Sequence, residues 1–212
     1  MAISKLAGFA MLATASVFAL TGCAAGTPAA EETASGTIAV DEAAAALLPA
    51  EFKDGISVAS DIPYAPMELF DENDQPTGFD YDLSQAIGSK LGVKMSFEDQ
   101  DWDGIIPSLQ SGTHDIIMSG MNDTEERQKV LDFVDYFLSG SSLVIAKGNP
   151  EGISTLTDLC GKTALVEAAT VQADTLAAVD CGDKGAITVE AYPDVPATLN
   201  ALRAGKGVAF LI

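Results

Sequence analysis

The feature that most constrains the fold is an alternation of strand-like and helix-like segments, which begins at residue 55. Apolar residues alternate with polar ones in a half-buried strand, whereas they recur every three to four residues on one face of a helix. This pattern predicts strands over 55–59, 93–97, 115–118, 143–146, 162–167, 187–192 and 208–212. It predicts helices over 80–91, 105–109, 124–131, 171–179 and 195–204. Strands separated by helices of about ten residues favour βαβ units, so we expect an α/β fold with mostly parallel sheets.

The alternation is interrupted at Lys147–Pro150 and then begins again. This interruption predicts two lobes, over 54–141 and 142–212. The last predicted strand, 208–212, has the composition of a buried strand and no residue after it. Because a central strand needs a neighbour on each side, we expect that neighbour to come from elsewhere. The C-terminal part of the second lobe is therefore expected to be missing, as in a fragment or a truncated product.

The first 22 residues have the composition of a signal peptide. They carry one charge, Lys5, followed by an apolar run from Leu6 to Leu20. That run is shorter than the roughly 20 residues of a membrane-spanning helix. The four residues that end at Cys23, Leu-Thr-Gly-Cys, then resemble the bacterial lipoprotein box; a short membrane anchor with an incidental cysteine is the alternative. We expect residues 1–22 to be cleaved and Cys23 to carry a lipid on the outer face of the cell membrane.

The stretch over 23–53 is expected to be a flexible tether with a short helix. Up to residue 40 it is rich in Ala, Thr, Gly and Glu and shows no sustained periodicity, which is typical of a flexible linker. Residues 41–48 are rich in alanine, a strong helix former, and Pro49 follows them.

The composition excludes several kinds of partner. The formal net charge is −20, and such a surface repels nucleic acid, so no nucleic-acid partner is expected. One histidine and three cysteines leave no cluster with zinc-ligand spacing. We therefore expect neither a metal nor a cofactor.

The two cysteines that remain after Cys23 are Cys160 and Cys181. In an oxidising compartment outside the cytoplasm they are expected to form a disulfide. The bridge would close a loop of about 20 residues and stabilise the fold by about 3 kcal/mol through chain entropy. Two free buried thiols are the alternative.

Four segments in a fixed order carry a resemblance to a known family. They lie at 61–66 (DIPYAP), 77–83 (TGFDYDL), 102–117 (WDGIIPSLQSGTHDII) and 118–127 (MSGMNDTEER). Together they resemble the family 3 solute-binding proteins, the polar amino acid class of ABC importers. The cysteine pair and the Leu47-Leu-Pro49 segment resemble an actinobacterial branch of that family. The resemblance implies the type II fold of periplasmic binding proteins, in which two α/β lobes joined by a hinge close on a ligand.

The resemblance also implies a function. The chain is expected to capture a polar or cationic amino acid and to deliver it to the permease subunits of an ABC importer, as a monomer and not as an enzyme. One alternative is an enzyme like cyclohexadienyl dehydratase, with Glu68 or Glu167 as general acid, although no paired acid and base mark it. Another is the ligand-sensing module of a receptor, which a lipid anchor disfavours because a lipid passes no signal across a membrane.

Arg127 is the candidate clamp for the ligand carboxylate, because a guanidinium offers two parallel donors and the position matches the arginine of the family. A surface ion pair with Glu125 or Glu126 is the alternative. The other ligand-binding residues that the resemblance implies are Tyr64, Trp102, Ser119, Gly120, Asn122 and Thr170. Tyr64 and Trp102 would line the pocket, with a place in the core near the hinge as the competing interpretation. The aspartate that usually anchors the ligand ammonium would follow residue 212.

Overall fold

The computed structural model describes residues 38–212, so the predicted signal peptide at 1–22, Cys23 and the first part of the predicted tether lie outside the described residues. The strands are β1 Ile56–Ser60, β2 Leu69–Phe70, β3 Pro76–Thr77, β4 Met95–Asp99, β5 Ile116–Ile117, β6 Leu143–Ile145, β7 Thr163–Glu167, β8 Thr188–Tyr192 and β9 Ala209–Leu211. The α-helices are α1 Glu42–Leu47, α2 Phe79–Leu91, α3 Trp102–Gln110, α4 Val171–Ala177 and α5 Val195–Arg203. Short 3-10 helices lie at Ala50–Phe52, Arg127–Lys129, Leu156–Leu159 and Gly182–Lys184.

Lobe 1 is built on a three-stranded parallel sheet in the order β4-β1-β5. β1 is central, and its Val58 side chain is fully buried beside Met95 and Met118. The helix α2 ends at Gly92, whose left-handed backbone (φ 70°) closes the helix as the sequence predicts. The antiparallel hairpin of β2 and β3 lies between β1 and α2 in the chain.

Lobe 2 is built on a four-stranded sheet in the order β6-β9-β7-β8, in which β7 is parallel to both of its neighbours. On one face Leu159, Val166 and Leu176 form a fully buried cluster, and on the other Leu165 and Phe210 pack with residues of α5. Apolar side chains on both faces of the sheet explain why β7 and β9 read as nearly continuous apolar runs.

A disulfide links Cys160 to Cys181 in this lobe, with the two Cα atoms 5.4 Å apart. Cys160 follows the 3-10 helix Leu156–Leu159, and Cys181 precedes Gly182–Lys184. The bond ties the start of β7 to the segment that enters β8, as the sequence analysis expects.

The last strand corrects one expectation. β9 lies between β6, to which it is antiparallel, and β7, to which it is parallel. Both neighbours of the last strand thus belong to the described chain, and the expectation that one must come from elsewhere is wrong. The sequence reasoning missed this because β9, the last strand in the chain, inserts between the earlier strands β6 and β7. Within residues 38–212, no helix combines the length and the hydropathy that a membrane span requires.

The helix predicted over 124–131 is also wrong, since the structure has only the 3-10 turn Arg127–Lys129 there. An amphipathic helix is stabilised mainly by burying its apolar face. This segment buries little apolar surface, and the Val130 side chain is 55% exposed. Local helix propensity therefore has no packing to support it.

Candidate functional site

A cavity lies between the two lobes and opens to solvent. Its lining residues are Asp61, Tyr64, Trp102, Ser119, Gly120, Asn122, Glu167, Thr170, Gln172, Phe210, Leu211 and Ile212. The structure thus brings together six of the seven residues that the sequence analysis names, and the seventh, Arg127, contacts two residues at the edge of the cavity.

The position of the cavity follows from the sheet topology. Asp61 comes directly after β1, and Glu167 is the last residue of β7. Parallel strands of an open α/β sheet place their carboxyl ends at one edge, and ligands bind in the crevice outside that edge. The carboxyl edges of the two sheets therefore face the same space, and Asp61 and Glu167 lie beside it.

Trp102 and Arg127 connect lobe 1 to lobe 2 at the edge of the cavity. The Trp102 Nε1 donates to the carbonyl oxygen of Ala169 at 3.1 Å, and the Arg127 Nη2 donates to the same oxygen at 3.4 Å. The Arg127 Cζ lies 5.4 Å from the centre of the Trp102 ring, within range of a cation–π interaction. A single backbone carbonyl of lobe 2 thus accepts from two side chains of lobe 1.

Arg127 keeps hydrogen-bonding capacity for a ligand. Its Nη1 donates to the carbonyl oxygen of Asn122 at 2.9 Å, and a guanidinium has five N–H donors in all. Among the described residues it forms no salt bridge, because Glu126 pairs with Lys129 instead. Burial lowers the pKa of Arg127 from its ordinary value, and a ligand carboxylate would offset that cost.

Ser119 and Gly120 form the wall of the cavity on the lobe 1 side. The Ser119 hydroxyl accepts from the backbone N–H of Asp61 at 2.9 Å and donates to Glu68. Gly120 has a left-handed backbone (φ 52°), and a Cβ atom there would lie 3.0 Å from the Tyr64 ring. A glycine is needed at this position because both the backbone and the tyrosine contact disfavour a side chain.

Thr170 lies on the lobe 2 side of the cavity, where it caps α4. Its hydroxyl donates to the carbonyl oxygen of Glu167 at 2.8 Å and accepts from the N–H of Ala173 at 3.3 Å. The hydroxyl proton is therefore committed within the protein, so a ligand could bond Thr170 only by donating to its hydroxyl oxygen or through its backbone.

Asp61 and Glu167 give the cavity its electrostatic character. Burial, followed by the charge of Asp61, raises the pKa of Glu167 to about 8. Burial and the charges of nearby acidic residues raise the pKa of Asp61 to about 6. One carboxylate oxygen of Glu167, Oε1, is buried without a hydrogen-bond partner in the structure. In the part of the chain that is described, no group of three or more potential ligand side chains could hold a metal ion.

The sequence analysis did not assign Asp61, Gln172 or Phe210 to the site, and it considered Glu167 only as an acid of the alternative enzyme. Two of these residues carry a signal that could have found them. Asp61 and Glu167 both stand at the carboxyl end of a predicted parallel strand, which is where an open α/β sheet binds ligands.

The model of the bacterial extracellular solute-binding proteins, family 3, matches residues 56–205. The chain belongs to this family. All seven residues that the sequence analysis names for ligand binding lie inside the matched range. The motif order that carries the resemblance in the sequence is thereby confirmed at the level of the family.

Among the relatives of this family 3 protein is the arginine-binding extracellular protein ArtP of Bacillus subtilis (strain 168). The two are 36% identical over 109 residues, which cover 51% of this chain and 42% of ArtP. The chain thus spans less than half the length of that relative.

Two solved structures are similar to this family 3 protein over most of its length. An ancestral arginine-binding protein bound to arginine is 38% identical, with a TM-score of 0.69 over 74% of this chain and 69% of the other. An ancestral amino acid-binding protein that preceded cyclohexadienyl dehydratase is 33% identical, with a TM-score of 0.67 over 74% and 69% of the two chains. The type II fold of periplasmic amino-acid-binding proteins is confirmed by these similarities.

Proposed function

We propose that this protein captures a cationic amino acid, with arginine as the first candidate, between its two lobes for delivery to an ABC importer. The observation that carries the proposal is the pair of carboxyl groups, Asp61 from lobe 1 and Glu167 from lobe 2, that line one cavity. Burial and the charge of Asp61 raise the pKa of Glu167 to about 8, whereas a hydrogen bond between the two side chains lowers the pKa of Asp61. A cation placed between them would relieve both the repulsion and the burial cost.

The other parts of the cavity match the remaining groups of such a ligand. Arg127 supplies free N–H donors for the ligand carboxylate, and a planar guanidinium of arginine suits a bidentate contact with a carboxylate. Tyr64 and Trp102 supply flat apolar surfaces for the aliphatic stem of the ligand. The relatives named as arginine-binding proteins support this choice of ligand.

We propose binding without chemical turnover. Glu68, the first candidate general acid, is fully buried and does not line the cavity. Glu167 lines it beside Asp61, but the similar proteins that are named for a ligand are binding proteins. Because the chain is similar to a precursor of cyclohexadienyl dehydratase, prephenate and arogenate are the substrates to assay. Turnover of prephenate or arogenate by the purified protein would contradict binding alone.

We also propose that the lipid on Cys23 holds the protein at the outer face of the cell membrane, close to the permease subunits. The family is described as extracellular, and the lipoprotein box at residues 20–23 supports the anchor. A tether between Cys23 and lobe 1 would let the lobes reach a transporter in the same membrane.

The proposal is tested by a thermal-shift screen followed by calorimetry. Arginine, lysine and histidine would be compared with citrulline, which has the shape of arginine but no side-chain charge. A ligand that binds the folded state raises its melting temperature by mass action. We expect arginine to give the largest shift. Equal shifts for arginine and citrulline, or a shift for neither, would refute a cation-selective cavity.

A further inference from the structure

Two further acidic side chains, Glu68 and Asp80, lie behind the wall of the cavity and outside it. Both are fully buried, with no exposed surface. Neither forms an ion pair with a lysine, arginine or histidine of the described chain. Buried carboxyl groups without a cation are costly when ionised, so this pair needs an explanation.

The hydrogen bonds of the pair distinguish its two members. Oδ2 of Asp80 accepts from the Gly120 backbone N–H at 2.8 Å and from the Tyr136 hydroxyl at 2.8 Å. Oε1 of Glu68 accepts from the Ser119 hydroxyl. Asp80 receives the two donors that an anion requires, whereas Glu68 receives one donor in the hydrogen bonds of the structure.

The remaining oxygen of each carboxyl group, Oε2 of Glu68 and Oδ1 of Asp80, is buried and has no N–H or O–H donor. Asp80 and the Ser60 hydroxyl both act on the pKa of Glu68 as hydrogen-bonding neighbours, and the Ser60 hydroxyl is itself buried without a partner. Two carboxylate oxygens can form a hydrogen bond only if one of them carries a proton. A proton on Oε2 of Glu68 would satisfy both atoms.

We propose that Glu68 and Asp80 share one proton, carried by Glu68 and accepted by Asp80, and that the pair positions Ser119 and Gly120 on the wall of the ligand cavity. Only the positioning of the cavity wall rests on the proposed function, and the shared proton does not. Glu68 and Asp80 touch no ligand in this scheme and act through the two wall residues that they bond.

The backbone around the pair is built to bring the two side chains together. Glu68 exchanges backbone hydrogen bonds with Tyr64, and the N–H of Asp80 donates to the carbonyl oxygen of Met67 at 2.8 Å. Gly78 makes this approach sterically feasible, since a Cβ there would lie 2.5 Å from the Met67 oxygen. Tyr64 on the same turn, Ser119 and Gly120 all line the cavity. The acid pair therefore connects α2 to the two segments, 64–68 and 119–120, that form the wall.

The titration of the pair has a definite sign. Burial, with the charge of Asp80 also contributing, raises the pKa of Glu68 from 4.5 to about 9. The other titratable groups that face it are Tyr64 on its own turn and Tyr136. Between pH 4.5 and about pH 9, Glu68 holds a proton in the folded protein that it has lost in the unfolded chain. The ratio of folded to unfolded protein therefore falls, by up to about tenfold per pH unit, as pH rises toward 9.

Glu68→Gln tests the shared proton, because its amide keeps an acceptor for Ser119 and a donor for Asp80 but has no dissociable proton. Urea unfolding of the wild type and the variant would be compared from pH 5 to pH 9, without ligand. We expect the folded-to-unfolded ratio of the variant, divided by that of the wild type, to increase at least tenfold from pH 5 to pH 9. Glu51→Gln, at an exposed position, is the matched control and should show no such growth. A difference between Glu68→Gln and wild type that is flat with pH would overturn the shared proton.

Arginine binding tests the positioning role. Glu68→Met, which has neither donor nor acceptor, should weaken arginine binding at least tenfold, whereas Glu68→Gln should restore most of it. Equal loss in both variants would overturn the role of the hydrogen bonds. If Glu68→Met does not fold, retention of arginine binding by Glu68→Gln decides the point, and its loss overturns the proposal. A wild-type protein that binds no amino acid refutes the proposed function instead, and the unfolding comparison still decides the proton.

Discussion

Replacing Glu167 by glutamine is the sharpest test of a cation-selective cavity. The substitution keeps the size of the side chain and one oxygen acceptor but removes one of the two carboxyl groups that line the cavity. Arginine and citrulline differ by the charge at the end of the same stem. Closure of the lobes and binding of the ligand backbone contribute equally to both, so the ratio of their dissociation constants isolates the contribution of the charge.

The preference for arginine over citrulline that Glu167 contributes is the balance of two free energies. A guanidinium about 4 Å from a carboxylate, at the effective dielectric constant of about 20 typical of partly exposed sites, gains about 4 kcal/mol. Glu167 has a pKa of about 8 in the empty cavity, so ionising it at pH 7 costs about 1.4 kcal/mol. About 2.5 kcal/mol remains, which corresponds to a selectivity of about 50- to 100-fold.

Isothermal titration calorimetry at pH 7 would measure this selectivity. We expect Glu167→Gln to lose most of the preference for arginine while its affinity for citrulline stays within a few-fold of the wild type. The wild-type preference should also rise as pH increases from 6 to 8, because the proton leaves Glu167 when a cation binds, and the variant should not show this rise. Glu151→Gln, which removes a carboxylate that pairs with Lys162 away from the cavity, is the matched control. An unchanged preference in Glu167→Gln would refute the reasoning.

Three further substitutions test other parts of the molecule. Arg127→Ala should weaken arginine and citrulline alike, by about 10- to 100-fold, because each ligand loses a charge-assisted contact worth about 1.5–3 kcal/mol; unchanged affinity in calorimetry would contradict the carboxylate role. Cys23→Ala should move the protein from the membrane to the soluble fraction of cells, and continued membrane association would argue against a lipid anchor. The double variant Cys160→Ser, Cys181→Ser should lower the free energy of unfolding in urea by about 3 kcal/mol. Two alkylated thiols in the unreduced wild-type protein, detected by mass spectrometry, would reject the bridge.

Periodicity in the sequence was sufficient to predict most of the fold. Every predicted strand has a counterpart in the structure, and the order of strands and helices predicts the parallel pairing of β1 with β4 and of β7 with β8. These segments bury apolar residues at regular spacing, so the pattern records their packing. The helix predicted over 124–131 failed because its segment has helix-forming residues but no buried face, and propensity alone does not hold a helix.

The candidate site was predicted only in part. The motifs identified the residues of the cavity wall, such as Ser119 and Trp102, but not the opposed carboxyl groups of Asp61 and Glu167. These two residues are distant in sequence and come from different lobes, so only the tertiary structure brings them together. The partnership of Glu68 and Asp80 was not predicted either, because the sequence does not show that their side chains are buried behind the same wall.

The acceptor at the contact between the lobes is a backbone atom, the carbonyl oxygen of Ala169, and this determines which mutations disturb the contact. It accepts from Trp102 and Arg127, yet it belongs to the main chain of a residue with a left-handed backbone (φ 57°). Replacing Ala169 by glycine or asparagine, which tolerate that conformation, would leave the acceptor in place. Replacing either donor would remove a hydrogen bond outright. Mutational tolerance at this contact is therefore asymmetric: lobe 2 accepts any side chain that tolerates the left-handed backbone of residue 169, whereas lobe 1 depends on the two donor side chains themselves.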